Sequence, residues 1–203
     1  MPQSLTDTRT SGAPGTTLSY FGYSVEVPWK TIDRKRNEGR WADVHFKSGE
    51  TVKFFNPLFF DVDPINRSLV HGEVDFDQAF ESGIHESKYE QFKDIVSVKP
   101  SDLSPFHSRR EFARIKVLLD IKGLWFEHNV AVPQILSFET SGYRGFEISG
   151  LAQGWQNVSL TFFENGTNHS YAVLLDGNAP SGLKLEQADV NRVIQSFSVV
   201  SSR

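Results

Sequence analysis

The 203-residue chain contains no cysteine, which rules out disulfides, thiolate metal sites and cysteine nucleophiles and leaves the redox compartment open. It also has no run of about 20 apolar residues, the length a helix needs to cross a bilayer, so no transmembrane segment is expected. The N-terminal stretch lacks the apolar region of a secretory signal. Positive charge is not in excess: 21 Lys and Arg stand against 25 Asp and Glu, a formal net charge of −4. Phosphate contact needs clustered positive charge, so nucleic acid is not an expected partner.

Signatures of chemistry are missing as well. There is no Gly-x-Ser-x-Gly elbow and no Gly-rich phosphate loop ending in Lys-Ser or Lys-Thr. His85-Glu86 opens like a zinc-protease helix, but Tyr89 stands where the second ligand belongs. Asp61-x-Asp63 opens like a calcium loop, then lacks the third ligand, the turn glycine and the closing Glu. The expectation is no catalytic residue, no cofactor and no metal. A hydrolase would require a His and an acid to converge in one cleft, for example His71 with Asp75.

What the chain does have is aromatic mass, with 17 Phe among its residues, enough for a packed core rather than a disordered chain. Residues 1–17, rich in Ser, Thr, Gly and Pro, read as a flexible leader. The leader is either a frayed terminus or a linker to an upstream signal or anchor, and the second case would place the domain in the cell envelope. Residues 18–203 read as one domain.

The strongest local signal runs from Ile135 to Asp176. Alternating apolar and polar residues between Ser141-Gly142 and Asn165-Gly166 predict two antiparallel hairpins in tandem, with a type I′ turn at Asn165-Gly166. Earlier, Leu18–Pro28 reads as one strand with Tyr23, Val25 and Val27 inward, and Ser48-Gly49-Glu50 as a hairpin turn. Between them, Asp33–Arg40 reads as a solvated charged loop.

Helical spacing groups Phe76, Ala79, Phe80 and Ile84, and then Tyr89, Phe92 and Val96 behind a capping box at Ser87. A second box, Ser108 to Glu111, opens a helix with the stripe Phe112, Ile115, Leu118, Leu119 and Phe126, interrupted at Gly123. Val190, Val193, Ile194 and Phe197 mark a closing helix. Together these predict an α+β domain, an antiparallel sheet of about six to seven strands packed by helices.

That order resembles the PsbP/Mog1-like superfamily. Tyr23-Ser24-Val25-Glu26-Val27-Pro28-Trp29 is similar to its opening strand, and Val193-Ile194-Gln195-Ser196-Phe197 to its closing helix. Ser108–Phe112 and Gly142–Glu147 look like its helix-opening and hairpin segments. The resemblance implies an assembly or accessory factor and brings no catalytic residues. A helix-grip fold of the START type is the structural alternative; it places one strand, not three, before the helices and ends in a longer helix.

The function expected is therefore a non-catalytic binding or accessory module that holds a protein partner, with Trp29, Trp41, Phe59 and Phe60 as candidate contacts. The alternative is a carrier of a small apolar ligand, with a cavity lined by residues such as Phe112, Phe146 and Phe162.

Overall fold

The computed structural model describes residues 3–4, 15–60, 64–65, 73–80, 83–84, 86–104, 107–126, 133–150, 156–177 and 185–200. It is an α+β fold with two sheets. In chain order the strands are β1 (Gln3–Ser4), β2 (Thr16–Tyr20), β3 (Tyr23–Val27), β4 (Ile32–Asn37), β5 (Trp41–Phe46) and β6 (Thr51–Phe55). Three helices follow, α1 (Glu73–Ala79), α2 (Lys88–Ser97) and α3 (Arg109–Phe126). Strands β7 (Gln134–Glu139), β8 (Tyr143–Ser149), β9 (Asn157–Glu164) and β10 (Ser170–Asp176) precede α4 (Gln187–Ser196) and β11 (Ser198–Val199). The main sheet has the order β1-β7-β8-β9-β10-β6-β5-β4, antiparallel except for the two-residue β1 beside β7. A second sheet, β11-β3-β2, was not anticipated.

The alternation seen in the sequence decides the layers. Val44, Val52, Phe54, Leu160, Phe162, Val173 and Leu175 share the inner face of the main sheet and are buried against β3 and α4. The opposite parity places Phe146 and Phe163 on the outer face under Tyr89, Phe92 and Val96 of α2. The other side of α2 presents Ile95 to α1 and α3, so α2 is sandwiched. Arg114 of α3 ties the layer together through Glu86 at 2.7 Å and Asp94 at 2.6 Å. Lys122 Nζ donates to the Val96 and Val98 carbonyls at 2.8 and 2.6 Å, groups that the end of a helix leaves without an intrahelical donor.

The opening strand β3 and the end of the closing helix meet. Phe197 stacks on Phe162 with ring centroids 3.9 Å apart and lies 5.7 Å from the Tyr23 ring. Ser196 Oγ accepts the Glu26 amide at 2.7 Å. Those residues are fixed by packing.

Several expectations change. Leu18–Pro28 is a hairpin rather than one strand, because Phe21 and Gly22 both take positive φ (52° and 83°), the two-residue geometry that suits strand twist. At Asn165-Gly166 only the glycine has positive φ, so the turn is not type I′ and the loop is longer, closing through Glu164 N–H to the His169 carbonyl. The charged stretch after Thr31 forms β4 instead of a loop. The leader stretch supplies β1 and the first two residues of β2. Helix α3 runs through Gly123, and its buried side is Ala113, Val117, Leu118 and Ile121, leaving Phe112 40 % exposed.

Candidate functional site

Helix α2 covers only part of the outer face of the main sheet. On β4, β5 and β6 the same face stays half-exposed, and its residues follow from the register. Arg34, His45, Thr51 and Asp176 form one cross-strand row; Arg36, Asp43, Lys53 and Leu174 form the next; Trp41 opposite Phe55 ends the face.

At that end the chain leaves β6 through Asn56–Phe60. Asn56 holds the exit, its amide donating to the Arg40 carbonyl and its side chain to the Gly39 carbonyl. The loop then exposes Leu58 (88 %), Phe59 (58 %) and Phe60 (41 %). The Phe60 ring meets Phe55 edge-on at 4.9 Å, and Arg40 lies over Phe59 at 5.6 Å. Trp41 is held between Arg36 at 5.1 Å and Lys53 at 4.8 Å. Such cation–aromatic contacts contribute about 0.5–1 kcal/mol each when exposed. They keep three cations beside an apolar surface.

Three of the four expected contact residues, Trp41, Phe59 and Phe60, therefore gather here. Trp29 does not: it is half-buried, packs on Phe46 at 5.5 Å, and its carbonyl accepts the Thr16 hydroxyl. The basic residues of β4, expected in a solvated loop, complete the surface.

The other expected constellations separate. Phe146 is buried under α2, Phe162 lies on the inner face against Phe197, and Phe112 is exposed on α3, so the three line no common cavity. His71 lies outside the described residues, as do Asp61 and Asp63 and the side chain of Asp75. Among the described residues no group of three His, Asp or Glu is placed to hold a metal ion.

Two polar clusters were not anticipated. On the open face, His45 Nε2 hydrogen-bonds Asp43 Oδ2, and Thr51 Oγ1 lies 3.0 Å from Nδ1. Arg34 Nη2 approaches Nε2 at 3.1 Å. A proton on Nε2 donates to Asp43 and leaves Nδ1 to accept the threonine hydroxyl. The second cluster is internal. Glu147, fully buried on β8, accepts from Gln187 Nε2 at 2.7 Å and from Ser149 Oγ at 3.1 Å. Burial pushes its carboxyl above the usual carboxylate range against these two donors. The alternating pattern of β8 hid this residue, since Glu147 occupies an inward position where an apolar side chain is the usual occupant.

Beside the Asn56–Phe60 loop, a groove of about 810 Å³ runs between the Phe21-Gly22 turn, the β9–β10 hairpin tip and the end of β11. Phe21, Leu58, Tyr171 and Val200 form its apolar lining. Leu58 belongs to both surfaces.

Comparison with known proteins adds no relative: no family model, no curated protein and no solved structure matches the chain.

Proposed function

We propose that the protein is a non-catalytic binding or accessory module that holds a protein partner on the aromatic and cationic surface at the β4–β6 end. One observation carries this: Leu58, Phe59 and Phe60 stand exposed in consecutive positions beside Trp41, within a rim of Arg36, Arg40 and Lys53. Apolar side chains scattered singly over a surface need no explanation, but a contiguous set rimmed by charge is the composition of an interaction site. The order of hairpins, helices, four-stranded meander and closing helix supports placing the module with the PsbP/Mog1-like proteins, whose members act as accessory factors.

The test is capture by the immobilised full chain at low and moderate salt, beside a Leu58→Ser/Phe59→Ser variant. Both side chains are exposed, so the variant should keep its unfolding midpoint. A partner identified with wild type and lost with the variant supports the proposal. A partner retained equally by both refutes it.

The groove beside the loop favours one second reading, a carrier of a small apolar ligand. Its size falls within the range of roughly 300–1,000 Å³ common for ligand sites. Mass spectrometry of molecules released on denaturation tests it, and an empty protein from every expression host counts against it.

A further inference from the structure

The open edge of the main sheet lies along the same surface. β4 is the last strand, and among the described residues nothing pairs with its outer side. The ladder to β5 shows which groups are spent. Glu38 N–H donates to the Trp41 carbonyl, so the pairs Arg36–Asp43 and Arg34–His45, two and four residues further along, are the hydrogen-bonded ones. The N–H and C=O groups of Lys35 and Asn37 therefore point away from the sheet. Apart from Asp33, the charged side chains of β4 are basic on both faces: Arg34 and Arg36 on the open face, Lys35 on the other. Arg36 is paired with Glu38 at 2.6 Å.

We infer that β4 accepts an extended acidic peptide segment as an added strand, with an apolar residue at one end reaching Phe59. This names the partner chemistry of the surface proposed above and rests on that proposal. Free backbone donors and acceptors alternating at strand spacing are matched in register by another strand, whereas phosphate oxygens can accept only from the N–H groups and leave the C=O groups unserved. Charge then selects among strands. A second copy of β4 would set Arg34, Lys35 and Arg36 against their own kind, whereas carboxylates on an added strand face them on both sides of the sheet. The turn carrying Arg40 lies at one end of β4, with Phe59 of the β6 exit loop against Arg40, so an apolar terminal residue continues the contact.

Fluorescence anisotropy with the full chain tests this, using an acetylated peptide of alternating Glu and Val ending in Phe. About eight residues suffices, because the six-residue β4 spans only about 20 Å. The control peptide carries Lys in place of Glu. Lys35→Pro removes an outward donor while leaving the ladder to β5 intact, and proline is tolerated on sheet edges. Lys35→Thr removes the same charge and keeps the donor.

Saturable binding of the Glu peptide that weakens with salt is expected, with none for the Lys peptide. Loss of one backbone hydrogen bond should weaken binding about five- to tenfold more in Lys35→Pro than in Lys35→Thr. Amide exchange at Lys35 and Asn37 should slow in the complex. No saturable binding of the Glu peptide, equal binding by the two Lys35 variants, or binding only to anionic vesicles or single-stranded DNA would overturn the inference. If a cellular partner is lost with Leu58→Ser/Phe59→Ser but held fully by Lys35→Pro, the edge inference falls and the proposed function stands. If the peptide binds through the edge while the loop variant captures everything wild type does, the reverse holds.

Discussion

Tyr23 offers the sharpest test of how the two sheets are joined. Its side chain is fully buried, and its hydroxyl ends between β6 and β10, where those strands stop pairing. There Oη accepts the Phe55 N–H at 3.0 Å and has the Phe55 and Ala172 carbonyls at 2.9 Å, between which its one proton is shared. The hydroxyl stands in for the next rung of the ladder. Burial pushes the phenol far above its usual range, so it stays protonated and able to donate.

Tyr23→Phe keeps the ring contacts with Phe54, Tyr171 and Phe197 and removes only the oxygen. The variant loses a hydrogen bond and strands the Phe55 amide, a combined cost of about 2–3 kcal/mol. For a domain of this size that lowers the unfolding midpoint by roughly 5–10 °C. Urea denaturation should show a lower midpoint with an unchanged slope, and hydrogen exchange should show the Phe55 amide deprotected. The half-exposed Tyr20 serves as the control. Because the Phe55 ring supports Phe60, the exposed loop should also loosen. A loss below about 0.5 kcal/mol, with Phe55 still protected, would refute the idea that this hydroxyl closes the ladder.

Three further outcomes follow from packing and burial. Gly145→Ala places a Cβ 2.1 Å from the Thr161 carbonyl oxygen and 2.5 Å from the Phe138 ring, so it should cost about 3 kcal/mol or abolish folding, read by denaturation; a near-neutral result would mean β8 and β9 sit further apart. Trp29→Ala, unlike Phe59→Ser, should lower stability by about 2–3 kcal/mol through its lost packing on Phe46, and equal midpoints for the two would contradict their assignment to core and surface. Glu147→Gln mimics the protonated carboxyl. Because the folded state raises this pKa, stability from the group is full below the usual value of 4.5 and is lost as pH rises through the raised one. Wild type should therefore fall behind the variant progressively above pH 4.5, and parallel stability profiles would refute the shift.

The parts of the fold legible in the sequence are those where one face is buried and the other is wet. Strands β7 to β10 announce themselves by alternation; the capping box at Ser108 forms as its spacing implies, with Glu111 bonded back to the Ser108 amide at 3.0 Å, and at Ser87 the hydroxyl caps the Glu90 amide. β4 was illegible because it buries neither face, so Asp33 to Asn37 carry no period at all. The Phe21 turn was hidden because a bulky residue at positive φ is no turn signal. On α3 the expected stripe holds at Ile115, Leu118 and Leu119 but not at Phe112, and Ala113, Val117 and Ile121 complete the buried side.

The candidate site was half legible for a related reason. Aromatic content marked Phe59 and Phe60, but which aromatics share a face depends on register, which no local pattern supplies. Phe146 pairs with Thr161, so Phe162 one position on points to the opposite side of the sheet. The same dependence brought Trp41 to Phe55 and left Trp29 packed against the core.

Register also created the Thr51–His45–Asp43 cluster, whose order of hydroxyl, imidazole and buried carboxylate invites a catalytic reading. Acyl transfer needs more than a nucleophile and a base: it needs donors aimed at the developing oxyanion. Thr51 lies on β6, which is paired with β5 on one side and β10 on the other, so its neighbouring backbone amides are committed to ladders. The Arg34 guanidinium sits on the Nε2 side of the ring, away from the hydroxyl. The cluster is better suited to fixing His45 on the open face beside β4. Thr51→Val should then leave acidic-peptide binding within about twofold and cost about 1 kcal/mol for the lost hydrogen bond. A chromogenic ester should be hydrolysed no faster by wild type than by Thr51→Val, and a rate that disappears with the hydroxyl would make this cluster an active site and overturn the non-catalytic proposal.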